Sequence, residues 1–202
     1  RSRISANAFV RGETLTQAQI EDLIELASEA PSSFNIQHWR FVAVTRPERK
    51  ALLRKAAFNQ EKVEQAAVTF IILGDMRAHE DLASTLAPSV EAGIVPAPVA
   101  ATFVGMANQM YAHEQSARDE AIRSGSLAAM TLMLAARARG YASGPMIGFD
   151  PAAVSASFGI PKRYVPVMLL PVGTAAAGNW PRKPRLRVGQ ILYFESGEQL
   201  TK

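Results

Sequence analysis

The sequence contains no cysteine. That excludes structural disulfides, a thiolate nucleophile, and any zinc or iron–sulfur centre held by sulfur. Histidine is scarce: His38, His79 and His113 show no metal-ligand spacing. Redox chemistry in such a chain has to come from a bound organic cofactor. Long apolar runs are also missing. Residues 66–74 and 165–173 are strand-sized, well short of the roughly 20 residues that span a bilayer. The N-terminal stretch lacks the apolar core of a signal peptide, so a cytoplasmic location is expected. No strand is followed by Gly-x-Gly-x-x-Gly, and neither a phosphate loop nor a Gly-x-Ser-x-Gly elbow occurs.

What is present suits a globular protein. The 202 residues are 48% hydrophobic, enough for one domain over 1–202 with a sizeable core. The net charge of +4 is spread through the chain. A nucleic-acid binder shows a basic stripe interleaved with aromatics, so neither a nucleic-acid nor a membrane partner is expected. A small anionic ligand held by a few cations fits better.

Periodicity orders the chain. Ile20, Leu23, Ile24 and Ala27 share one face of a helix capped by Thr16 and ended by Pro31. Residues 39–45 read as a strand with Trp39, Phe41 and Ala43 inside, and 47–57 as a short helix. Residues 67–74 are apolar throughout, as a central strand buried on both faces requires. The pattern weakens over 75–98, where Gly93, Pro96 and Pro98 suggest an irregular or mobile stretch. Helical character resumes over 99–114. The longest helix is expected at 118–140, with Gly140 as its C-cap. Its part from 127 to 138 is apolar around most of its circumference and needs cover from its own domain or a partner. A helix at 151–158, a strand at 165–172 and a basic, Pro- and Gly-rich tail from 178 complete an α+β chain.

Four polar segments interrupt this apolar pattern. They begin with Arg3-Ile-Ser-Ala-Asn-Ala-Phe. Pro-Ser-Ser-Phe-Asn-Ile-Gln-His-Trp follows at 31–39, where a connection needs only a turn. Phe58-Asn-Gln-Glu-Lys precedes the buried strand, and Arg182-Lys-Pro-Arg-Leu-Arg lies in the tail. Taken singly, each reads as a solvated terminus, a turn cap or a charged surface.

In order, they resemble the FMN-dependent nitroreductase family. Arg3, Ser5 and Phe9 match its first motif, and Pro31 to Trp39 match Pro-Ser-Ser-x-Asn-x-Gln-x-Trp at every signature position. Asn59 and Lys62 match Asn-x-x-Lys, 145–150 match Pro-x-x-Gly-Phe-Asp, and Lys183, Arg185 and Leu186 match the tail motif. The middle of the chain looks most like the bacterial NAD(P)H nitroreductase subgroup.

The resemblance implies a nitroreductase-like fold, with helices around a central mixed sheet. It implies a homodimer whose tail, 178–202, crosses to the partner, and two FMN sites at the interface. Arg3, Lys183 and Arg185 would neutralise the FMN phosphate, with Ile4, Ser5 and Asn7 beside them. Pro31, Ser32, Ser33, Asn35 and Gln37 would line the cofactor, the loop coming from the other subunit. Asn59 and Lys62 would meet the pyrimidine edge, where a cation tunes the potential. Pro145, Met146, Ile147 and Gly148 would face the redox-active side, glycine permitting close approach. NADH or NADPH would be the donor, and a small-molecule electron acceptor such as a nitroaromatic or quinone would take the hydride; the alternatives are a flavin-binding protein without NAD(P)H reductase activity and an enone or aldehyde reductase on the same scaffold. No side chain need be catalytic and no metal is needed. Phe34, His38 and Phe103 are candidate pocket walls, and 75–98 a candidate channel or lid. One departure stands out: Asn7 replaces the family's second cation, so one phosphate-directed charge is missing.

Overall fold

The computed structural model describes residues 2–197 and 200. Its centre is β2 (Val68–Asp75), buried at every position. Alternation divides that strand between two cores. Val68, Phe70 and Ile72 pack with Leu23 and Ala27 of α1 (Gln17–Ser28) and Leu132 and Ala136 of α6 (Glu114–Ala138). Ile71 and Leu73 face the other way, against Leu53 of α2 (Pro47–Ala56) and Val154 of α7 (Pro151–Phe158). Full burial of an aromatic such as Phe70 contributes about 1.5–3 kcal/mol.

The sheet order is β1-β2-β4-β3, with β1 at Trp39–Val44, β3 at Ala142–Ser143 and β4 at Tyr164–Gly173. All three ladders are antiparallel. The expected mixed character is confined, among the described residues, to an isolated parallel bridge between Ser5 and Ser143. Trp39 pairs with Gly74 and Val44 with Thr69, while Ser143 pairs with Val172, itself opposite Val68. The start of β1 and the whole of β3 therefore lie at opposite ends of β2, about 20 Å apart at 3.3 Å per residue.

Local chemistry explains the elements. Thr16 caps α1 in a capping box: its hydroxyl accepts from Gln19 N at 3.2 Å, and Gln19 Oε1 accepts from Thr16 N at 2.9 Å. Asp150 caps α7 by accepting from Ala152 and Ala153. Gly140, at φ +86°, follows α6 in the left-handed turn that frees its amide for Arg137 O.

Three expectations change. The stretch 75–98 is ordered: a 3₁₀ turn (Ala78–Asp81) leads into α4 (Leu82–Glu91), whose Leu82 and Leu86 are buried. Gly93 and Pro96 mark only the joint to α5 (Ala97–Met110), and Pro98 sits harmlessly in that helix's first turn. α5 and α6 each begin a few residues earlier than periodicity indicates. In β1, Ala43 is exposed and Val44 buried, because Val44 joins the α2 core and nothing covers Ala43. Among the described residues the tail forms a 3₁₀ turn at Val188–Gln190, and Ile191, Leu192 and Phe194 are exposed. The end of the expected tail, 198, 199, 201 and 202, lies outside the described residues.

Candidate functional site

Four of the five motif segments meet at the β3 end of the sheet. The first motif is drawn against β3: Ala6 N donates to Ser143 O at 2.9 Å. The approach is so close that a Cβ on Gly144 would lie 2.3 Å from Ala6 O. The tail is pinned there by Asn179. Its Oδ1 accepts from Asn7 N at 2.7 Å and Ala8 N at 3.1 Å, while its Nδ2 donates to Ala8 O at 2.8 Å. The result is a cavity of about 230 Å³ lined by Arg3, Ile4, Ser5, Asn7, Trp180, Pro181, Arg182, Lys183 and Arg185. Its lining holds four cations and no carboxylate. Arg182 donates to Arg3 O at 3.2 Å, and Lys183 Nζ sits 4.6 Å from the Trp180 ring centre.

The third segment adjoins the first. Lys62 Nζ donates to Asn7 Oδ1 at 3.4 Å. The Asn7 side chain thus turns to the lysine, while the residue also lines the cavity. Burial pushes Lys62 below the ordinary lysine value. Phe58 and Asn59 both adopt left-handed backbone, φ +53° and +59°, which a bulky residue holds only under constraint. Asn59 N bonds to Arg54 O, and Arg54 Nε returns to Asn59 O at 3.3 Å.

The Pro145–Asp150 motif is tied to the third segment and to the end of α2. Gln60 Nε2 donates to Gly148 O at 2.7 Å, and Asp150 N donates to Ala56 O at 2.8 Å. Met146 exchanges backbone bonds with Leu169 in β4. Pro145 is half-buried and Met146 buried, while Ile147 and Gly148 are exposed, Ile147 at 80%. A backbone with Ile147 and Gly148 in the open can be approached closely by a planar ligand.

The second segment stands apart. Residues 31–37 precede β1 and so sit at the opposite end of the sheet. Phe34, Asn35 and Gln37 are all left-handed, at φ +50°, +58° and +57°. Ser32 Oγ accepts from Gln37 N at 2.9 Å, and Ser33 Oγ accepts from Tyr111 OH at 2.8 Å. Phe34 packs on Phe103 at 5.5 Å between ring centres. His38 is buried and lines no part of the basic cavity. Its Nδ1 faces Ser124 Oγ at 3.3 Å, Ser124 donates on to Glu120, and Nε2 has no partner. Burial lowers its pKa to about 4. Phe34 and Phe103 likewise pack with α4 and α5, away from the cations.

Sequence reasoning left Asn179, Gln60, Arg182 and Tyr111 unassigned. Gln60 and Arg182 lay inside segments already singled out. Gly178-Asn179 carried the signature of a turn, since Gly178 is left-handed at φ +86°. Nothing in the sequence joined Tyr111 to Ser33.

Among the described residues no helix is long and apolar enough to cross a membrane, and no cluster of three acidic or histidine side chains could hold a metal. With this geometry in place, comparison with known proteins is decisive: the nitroreductase family profile matches residues 1–174. The chain belongs to the nitroreductase family. YodC of Bacillus subtilis (strain 168), whose name assigns it provisionally to the NAD(P)H nitroreductases, is 36% identical over 175 residues, 87% of each chain. The CLA biosynthesis enone reductase of Lactiplantibacillus plantarum is 31% identical over 180 residues, 87% of this chain and 83% of that one. A nitroreductase of Exiguobacterium sibiricum 255-15, solved in complex with FMN, superposes with a TM-score of 0.89 at 33% identity. That match covers 96% of this chain and 94% of the other. The fold is therefore that of the nitroreductases, α+β with helices packed on an antiparallel four-stranded sheet.

Proposed function

We propose that this nitroreductase-family protein is an FMN-dependent oxidoreductase. It takes hydride from NADH or NADPH, releases the nucleotide, and passes the electrons to a nitroaromatic, quinone or similar acceptor. The observation that carries the reading is the basic cavity: Arg3, Arg182, Lys183 and Arg185 around one small space with no acid in the lining. That donor set suits a phosphate dianion, because guanidinium groups offer paired N–H donors to its oxygens. Ser5 adds a neutral donor. The fit extends beyond the phosphate, since Asn7 joins the cavity to Lys62, and Gln60 joins the Lys62 turn to Gly148. Phosphate end and ring end are thereby set by one continuous scaffold.

Bound FMN would supply the two-electron chemistry. The chain's own residues bind, orient and tune. Asn59 and Lys62 would hold the pyrimidine edge, the ammonium favouring the more negative, reduced state. Ile147 and Gly148 would offer backbone amides to the opposite edge, with Pro145 and Met146 packed behind. No side-chain acid, base or nucleophile is required.

The reading includes a homodimer. In one copy the 31–37 loop lies at the wrong end of the sheet to meet the cavity, so Pro31, Ser32, Ser33, Asn35 and Gln37 would come from the partner. Exposed Leu127, Met130 and Leu134 form a stripe at i, i+3 and i+7 on α6, an apolar face suited to an obligate interface. The exposed tail apolar residues fit the same partner. We read the chain as one FMN-binding domain.

A second reading, reduction of an enone, has the Lactiplantibacillus plantarum relative behind it, and acceptor screening separates the two. The proposal itself is tested by titrating the protein with FMN and following fluorescence quenching. Arg185→Ala should bind FMN at least about tenfold more weakly, the scale of one charge-assisted hydrogen bond to phosphate. Wild-type affinity in Arg185→Ala would remove the cavity from the argument.

A further inference from the structure

The 31–37 loop keeps three consecutive-region residues, Phe34, Asn35 and Gln37, in left-handed backbone. Such conformations persist only where surrounding contacts over-determine them. Most of the loop's polar bonds are internal: Ser32 to Gln37, Asn35 N to Ser32 O, and Ile36 N to Ser33 O. Among the described residues, one side-chain hydrogen bond ties 31–37 to a distant element, Tyr111 OH to Ser33 Oγ at 2.8 Å. Tyr111 is well placed to hold it. It closes α5, its amide bonded to Ala107 O, and is 5% exposed. Its ring is clasped between His38, edge-on at 5.8 Å, and His79 at 5.7 Å.

The phenol, the more acidic of the two hydroxyls, is the natural donor of the pair, and that direction has a chemical consequence. A hydroxyl that accepts one hydrogen bond still has its own proton to donate, and the first bond polarises the second. Ser33 is half-buried, so that proton has an open side.

We propose that Tyr111 is a positioning residue for the cofactor loop: its hydroxyl holds Ser33 and the left-handed turn behind it, and leaves the Ser33 proton to donate to an acceptor atom of the bound flavin. Its last step rests on the FMN reading; the loop-holding step does not. Burial also raises the Tyr111 pKa, so the phenol stays a donor at neutral pH and above.

Tyr111→Phe keeps the ring between the two histidines and deletes only the donor. Two measurements follow. In protein stripped of flavin, amide hydrogen exchange at 33–37 should quicken about 2- to 12-fold in Tyr111→Phe, the equilibrium equivalent of one neutral hydrogen bond. Ser33→Ala deletes the same bond from the loop side and should do the same, which preserves the test if Tyr111→Phe folds poorly. In the FMN-bound protein, Tyr111→Phe and Ser33→Ala should each speed FMN release, and the double variant should release it no faster than Ser33→Ala. A purely structural tyrosine would give additive effects instead. Unchanged exchange in the variants overturns the loop-holding step, and additive release rates overturn the relay to flavin. Failure of the wild type to take up FMN would overturn that relay together with the FMN reading, a result distinct from either.

Discussion

The side-chain amide of Gln60 donates to the carbonyl of Gly148 at 2.7 Å, binding the turn that carries Asn59 and Lys62 to the turn that carries Ile147. Both turns expose their tips, Phe58 and Ile147, while Met146 and Phe149 root the second turn in the α2–α7 core beside Val63. This bond and the Asp150–Ala56 backbone bond set their relative height. Gln60→Ala removes one of the two ties. It should cost about 1 kcal/mol of stability and weaken FMN binding severalfold. Urea unfolding and an FMN titration on the same preparation check both numbers.

Gly144→Ala acts one layer deeper. The added methyl would meet the Ala6 carbonyl at 2.3 Å, a backbone atom held by its own ladder to Ser143. Relief requires the first motif to move away from β3, carrying Arg3 and Ser5 with it. A loss of about 1–3 kcal/mol is expected, the usual range for overpacking. The unfolding midpoint in urea, compared with Gly105→Ala where the same methyl meets open space, isolates the steric effect.

His38 makes stability depend on pH. Unfolded, it titrates near 6.5; folded, burial holds it at about 4, against opposing influences from Glu120 and Asp75. Between those values the unfolded chain binds more protons. The contribution is therefore complete above pH 6.5 and lost as pH falls towards 4, about 3 kcal/mol in all. Unfolding free energies from pH 7 to pH 4 should show a steeper decline in the wild type than in His38→Gln.

The α6 stripe supplies a test of assembly. Leu134 is 53% exposed beside Met130 and Leu127, so a charge there leaves the core of one copy untouched. Leu134→Asp should shift the protein from dimer to monomer by analytical ultracentrifugation. FMN affinity should fall with it, because the Ser32–Ser33 loop would no longer reach the cavity. A Leu134→Asp monomer that binds FMN as tightly as the wild type would show the site to be complete in one chain.

The parts of this architecture legible in the sequence are those written in local chemistry. β2 announces itself as an unbroken apolar run, α1 through Thr16 and its stripe, and α7 through Asp150 and Pro151. The motif segments were legible as interruptions by polar residues, and the family resemblance put them in order. Three-dimensional juxtaposition was not legible. Asn7 turning to Lys62, Asn179 fastening the tail, and Tyr111 reaching Ser33 join residues 55, 172 and 78 positions apart. No periodicity encodes such distances. The helix α4 was hidden for another reason: Gly93, Pro96 and Pro98 dominate the local composition, yet they shape only a joint and a first turn.

The most direct test of the central claim is an anaerobic absorbance titration of the FMN-loaded protein with NADH and then NADPH. The account predicts flavin bands that bleach on addition of at least one nucleotide and return when a quinone or nitroaromatic is added. Flavin bands that persist with both nucleotides would contradict the reductase reading, and a protein that takes up no FMN would contradict the site itself.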